Sequence, residues 1–110
     1  MAGKFELYKD KAGEFRFRLK AGNGENVGAS EGYKQKGSAE NGIESVKKNA
    51  SDENRFEVFE GNGGKWRFNL KASNGQVILS SQGYASESGA KAGTEAVGRA
   101  ADGAKTDDQT

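Results

Sequence analysis

Phe15 to Glu25 reads FRFRLKAGNGE, and Trp66 to Gln76 reads WRFNLKASNGQ. Displacing the chain by 51 residues lays Phe5–Ala50 on Phe56–Ala101 without a gap and makes 18 of 46 positions identical. Self-similarity of this kind is an internal duplication, so the chain is read as two copies of one unit. In Phe15–Lys20 every second residue is apolar. That predicts a strand with Phe15, Phe17 and Leu19 on one face and Arg16, Arg18 and Lys20 on the other. Trp66–Lys71 repeats the pattern. Phe5 with Leu7, and Phe56 with Val58, supply the inward face of a preceding strand, and Val27, matched by Ile78, begins a third.

The turns follow from parity, because inward residues must face inward residues across a hairpin. Pairing Asp10 with Glu14 leaves Lys11-Ala12-Gly13, which ends in the glycine that a type I turn plus bulge places at its left-handed position. Asn62-Gly63-Gly64 is its counterpart. Pairing Ala21 with Glu25 leaves Gly22-Asn23-Gly24 and sets Leu19 opposite Val27. Ser73-Asn74-Gly75 likewise sets Leu70 opposite Ile78.

A helix closes each unit. In the first, Ser38 is expected to cap, Glu40 suits the first turn, and Lys47 and Lys48 suit the last. Ala39, Ile43 and Val46 form its apolar stripe, with Gly42 allowing close approach to the sheet. The second helix, near Glu87–Gly98, has Thr94 in place of Ile43 and holds three glycines, Gly89, Gly93 and Gly98. From Ala100 onward the chain is small, polar and acidic, and residues 102–110 read as a disordered tail.

A unit of about 50 residues buries little apolar surface alone. Two can share one core about a pseudo-twofold axis, as a homodimer would. The expected fold is therefore α+β: two tandem βββα repeats, residues 5–50 and 56–101, forming a covalent pseudo-dimer within a single domain 1–101. An antiparallel sheet carries its two helices.

In these residues the chain resembles the YegP-like proteins, small bacterial domains of unknown function. The likeness runs from residue 3 to about residue 101 and rests on the repeated F-E-L/V, R-F-x-L-K-A-x-N-G and S-x-G-Y segments and on the helix motif G-I-x-S-V. The last is Gly42-Ile43-Glu44-Ser45-Val46 here, and Gly93-Thr94-Glu95-Ala96-Val97 departs from it. The resemblance implies an α+β fold of tandem repeats and leaves open whether strands are exchanged between units. It implies no activity.

Composition excludes several chemistries. The 110 residues contain no cysteine and no histidine, which removes disulfides, thiol catalysis and the usual neutral-pH base and metal ligand. No metal or cofactor is expected. MAGKFELYKD has no apolar signal region and no run approaches a membrane span, so a reducing cytoplasm, no membrane contact and a monomer are the expectations. Gly22–Gly28 has the wrong spacing for a dinucleotide loop and leads into a strand, so it reads as a turn. Glu6 and Arg18 read as a cross-strand ion pair, not an acid–base couple. Tyr33 and Tyr84 read as anchors of the strand-to-helix corner, with a ligand pocket between the units as the sharper reading.

The outward strand face is the candidate site. Tyr8, Arg16, Arg18 and Lys20 should be neighbours, as should Phe59, Arg67 and Lys71. Aromatics beside cations form packing pairs, or a platform for stacked bases and phosphates. Residues 1–50 hold ten Lys/Arg against seven Asp/Glu, whereas 51–110 hold seven against nine, so the first unit is the basic one. The expected function is that of a non-enzymatic binding or accessory domain with an unidentified partner, protein or nucleic acid. The alternative is a weak single-stranded nucleic-acid-binding module using these seven residues.

Overall fold

The computed structural model describes residues 2–110. Its elements run β1 Lys4–Lys9, β2 Phe15–Lys20, β3 Asn26–Ala29, α1 Lys36–Asn49, β4 Phe56–Glu60, β5 Trp66–Lys71, β6 Val77–Ser80, α2 Glu87–Ala101 and β7 Lys105–Asp108. Seven strands form one mixed sheet in the order β4-β5-β6-β3-β2-β1-β7, and the two helices pack on it. The fold is α+β, with two tandem βββα units. Ala29 pairs with Ser80 where β3 meets β6. These two residues are each other's counterparts in the duplication, so the pseudo-twofold axis passes between them. One continuous core joins Phe5, Leu7, Phe17, Leu19, Ile43 and Val46 to Phe68, Leu70, Leu79 and Val97.

The alternating pattern places its residues as expected: Phe17, Leu19, Phe68 and Leu70 are fully buried. The three-residue turns also form. The Asp10 N–H donates to Glu14 O at 2.8 Å and the Ala21 N–H to Glu25 O at 2.8 Å, with Gly13 and Gly24 at positive φ.

Four expectations need correction. First, Leu19 lies opposite Gly28 and Leu70 opposite Leu79, because a bulge after each leucine shifts the register by one. Two consecutive residues, Ile78 and Leu79, are buried as a result. Second, α1 starts at Lys36, not after Ser38, and its N-cap Gln35 makes no side-chain cap. The matching position in unit two is Ser86, whose hydroxyl accepts from the Gly89 N–H at 3.1 Å. Third, α2 continues past Gly98 to Ala101. Fourth, residues 105–108 are not disordered: they form β7, which pairs in parallel with β1, so the sheet is not wholly antiparallel. The open backbone edge of β1 gives the tail partners. Lys4 lies 3.8 Å from Asp107, Lys36 donates to Asp108, and the Gln109 N–H donates to Leu7 O at 2.8 Å. Lys36, helped by Thr110, holds the Asp108 carboxyl down at about 2.

Candidate functional site

Cross-strand register brings the sequence-predicted residues together in two groups. Tyr8 faces Arg16 and Glu6 faces Arg18 across β1 and β2, with Lys20 opposite Lys4. Phe59 faces Arg67 across β4 and β5, with Lys71 one step beyond Asn69. Strands β3 and β6 separate the groups, so they are two patches and not one platform.

Both arginines in the first patch already have partners. The Arg18 guanidinium donates to Glu6 Oε1 at 2.6 Å and lies 4.5 Å from the Tyr8 ring centroid. This hydrogen bond holds the Glu6 carboxyl below the usual carboxylate range. Arg16 donates to Asp10 at 2.6 Å, which lowers the Asp10 carboxyl in the same way. In the second patch Lys71 reaches Glu57 at 3.4 Å, and Asn69 accepts from the Ser80 hydroxyl at 2.9 Å. Arg16 and Arg67 also point a guanidinium N–H at the carbonyls of Ser30 and Ser81, at 3.4 and 3.5 Å. Both copies of this arginine therefore brace the same corner.

Those serines were not singled out in the sequence beyond the S-x-G-Y likeness. Each hydroxyl accepts the N–H of the core phenylalanine, Phe17 or Phe68, at 2.9 Å and donates to the next carbonyl, Glu31 or Gln82, at 2.8 Å. The tyrosines that follow stack on the same phenylalanines, with centroids 6.3 Å apart for Tyr33 on Phe17 and 6.1 Å for Tyr84 on Phe68. Burial pushes both phenols above their ordinary value. A Cβ on Gly42 or Gly93 would lie 2.9 or 2.5 Å from the tyrosine hydroxyl. The corner is filled: each tyrosine packs between its core phenylalanine and the helix glycine. Asn49, in a glycosylation-like triplet, is buried and donates to Ser45 O at 2.8 Å.

A surface that sequence reasoning missed lies beside β4. A groove of about 750 Å³ runs between β4 and α2, lined among others by Phe56, Val58, Lys91, Thr94, Gly98 and Arg99. Its origin is visible residue by residue. In unit one Ile43 is buried over the core, and the Lys47 ammonium sits 5.8 Å from the Phe5 ring centroid. Their counterparts are Thr94 and Gly98, which cover less. Phe56 and Val58 are accordingly half-buried, where Phe5 and Leu7 are 0% and 1% exposed. The signal was present in the sequence as the departure of Gly93–Val97 from the first helix.

The backbone of β4 is open as well. The N–H and C=O of Phe68 bond to Ser81, so Val58, directly opposite Phe68, turns its own N–H and C=O away from β5. Among the described residues no strand pairs with that edge.

Comparison with known proteins gives a consistent picture. The model of a domain of unknown function, DUF1508, matches twice, at residues 10–57 and 62–108. A UPF0339 protein encoded in the ptx operon 5′ region of Stutzerimonas stutzeri is 56% identical over 105 residues, 96% of this chain and 95% of that protein. A UPF0339 protein of Treponema denticola is 60% identical over 58 residues, 53% of this chain and 100% of that protein, so the match spans one unit. The solution NMR structure of the protein of unknown function yegP from Escherichia coli superposes with a TM-score of 0.89 at 45% identity, covering 100% of this chain and 97% of that one.

Proposed function

The chain belongs to the family of the domain of unknown function DUF1508, and from that premise we propose that it is a non-catalytic binding module of the cytoplasm that holds a macromolecular partner. The observation that carries this reading is the uncovered edge of β4 beside its half-exposed apolar groove. Exposed edges are ordinarily blunted or covered, because their free N–H and C=O groups recruit other chains. Glu6, Asp10 and Asp108 are all lowered toward the charged form by cationic neighbours, so none of the three is tuned upward as a general acid would be. Affinity capture from a bacterial lysate tests the proposal, comparing the native chain with Thr94→Phe, whose ring would lie over Phe56 and Val58. Partners retained by the native chain should be lost from the folded variant. Identical capture by both would overturn the assignment of binding to this edge.

The stacking of Arg18 on Tyr8 favours a second reading, weak binding of single-stranded nucleic acid on the outer face of unit one. Arg16 and Arg18 would have to share their N–H groups between phosphate and the carboxylates they now hold, so affinity should be low. Single-stranded RNA titrated at low salt should shift the amide signals of Tyr8 and Arg16–Lys20 before those of Phe59, Arg67 and Lys71. Asn69 stands in place of Arg18 in the second patch. Affinity should fall steeply with salt as counterions are released. Shifts indifferent to salt, or none at millimolar RNA, would retire this reading.

A further inference from the structure

Resting on the binding-module reading, we propose that β4 accepts an extended segment of a partner protein as an eighth, parallel strand, and that this segment carries an apolar residue followed by basic ones. The chain displays the arrangement once already. β7 lies parallel to β1 with Thr106 opposite Phe5, Asp107 opposite Glu6 and Asp108 opposite Leu7. The pseudo-twofold operation carries β1 onto β4 and turns the Leu7 carbonyl, which accepts from Gln109, into the Val58 carbonyl, which faces the open edge. The duplication also explains why one edge is covered and the other is not. The segment that follows α2 is β7, which covers β1; the segment that follows α1 is consumed as β4 itself. In a dimer of separate units both tails would be free to cover an edge, and fusion leaves one tail for two edges.

Side chains specify what fits. On β1 the helix-side position opposite Leu7 holds Asp108, clamped by Lys36 at the start of α1. Its counterpart at the start of α2 is Glu87, so the charge at this position is reversed. A strand on β4 would place a residue there that faces Glu87, and one on the outer side beside Glu57. Among the charged groups lining the groove, Glu53, Glu95 and Asp102 outnumber Arg99 and Lys91, the latter 4.0 Å from Glu87. An acidic strand like β7 is disfavoured, and lysine or arginine is favoured at both places. One residue earlier, opposite Phe56, the helix-side position lies over the groove left by Thr94 and Gly98, which suits valine, leucine or isoleucine. Main-chain hydrogen bonds supply the affinity and these pockets the selectivity, as in strand addition generally.

Two synthetic hexapeptides test this on the full chain at low salt, followed by amide shifts. One is acetyl-Lys-Thr-Asp-Asp-Gln-Thr-amide, the sequence of residues 105–110; the other is its counterpart acetyl-Lys-Val-Lys-Lys-Gln-Thr-amide. The basic peptide should shift Phe56–Phe59 and Glu87 and bind at least tenfold more tightly than the acidic one. Glu87→Lys should invert that preference, and Val58→Pro, which removes an edge N–H without touching the ladder to β5, should abolish binding of either. The same preference in Glu87→Lys, or no shift of β4 at ten millimolar basic peptide, would overturn the proposal. If the peptides fail while Thr94→Phe still loses its captured partners, the binding module stands and the strand chemistry falls.

Discussion

Replacing Phe17 by alanine is expected to remove about 3–5 kcal/mol of stability, the usual cost of emptying a buried aromatic site. Its ring is fully buried, meets Phe5 edge-on at 5.9 Å and stacks on Tyr33. Phe68 repeats the arrangement, meeting Phe56 at 5.7 Å and stacking on Tyr84. Because Phe56 is half-exposed and the groove lies beside it, the site of Phe68 has more freedom to collapse. Phe68→Ala should therefore cost somewhat less than Phe17→Ala. A domain of this size has about 5–15 kcal/mol in total, so either loss leaves a marginal protein. We propose that the two units unfold as one, since Phe17 and Phe68 belong to one continuous core. Denaturant unfolding of the native chain and of both variants should then show a single transition with an unchanged slope. A cost below about 1 kcal/mol at either position, or a separate transition for one unit, would contradict this account of the core.

The parts of the fold legible in the sequence were those repeated in both copies. Alternation in Phe15–Lys20 and Trp66–Lys71 named four buried residues, and the glycines of the turns named the hairpins. Part of what the sequence concealed was asymmetric. β7 was unreadable because Thr106 and Asp108 stand on the side where strands elsewhere in the chain place Phe and Leu. Its stability depends on the edge of β1 and on Lys36, which lie far away in sequence. The bulges after Leu19 and Leu70 leave no mark that parity can detect, because parity assumes an unbroken ladder. The outer-face residues and the Glu6–Arg18 ion pair were legible from the register, but not the neutralisation of Arg16 by Asp10. Asp10 lies in a turn, and only the folded loop directs it at Arg16. The groove beside β4 was legible as a motif mismatch and acquires meaning only when the two helices are compared on one sheet.

The axis itself offers the sharpest test of the pseudo-dimer. Counterpart residues near a twofold axis compete for the same space, so a side chain too large on both sides clashes and one too small on both sides leaves a void. Gly28 and Leu79 are counterparts, and a Cβ placed on Gly28 would lie 2.6 Å from Leu79 Cδ2. Leu79 is fully buried, filling room that its own copy vacates. Leu79→Gly should cost about 3–5 kcal/mol, from the cavity together with the added backbone freedom of glycine. Gly28→Leu should cost about 1–3 kcal/mol through overpacking. If the axis is real, the exchange Gly28→Leu with Leu79→Gly places the same leucine in the same space from the other side. The double variant should return to within about 1–2 kcal/mol of the native chain, a coupling of at least about 2 kcal/mol between the sites. Costs that simply add in the double variant would show that the two positions do not share one space, and that the duplicated sequence is not arranged about a twofold axis at β3 and β6.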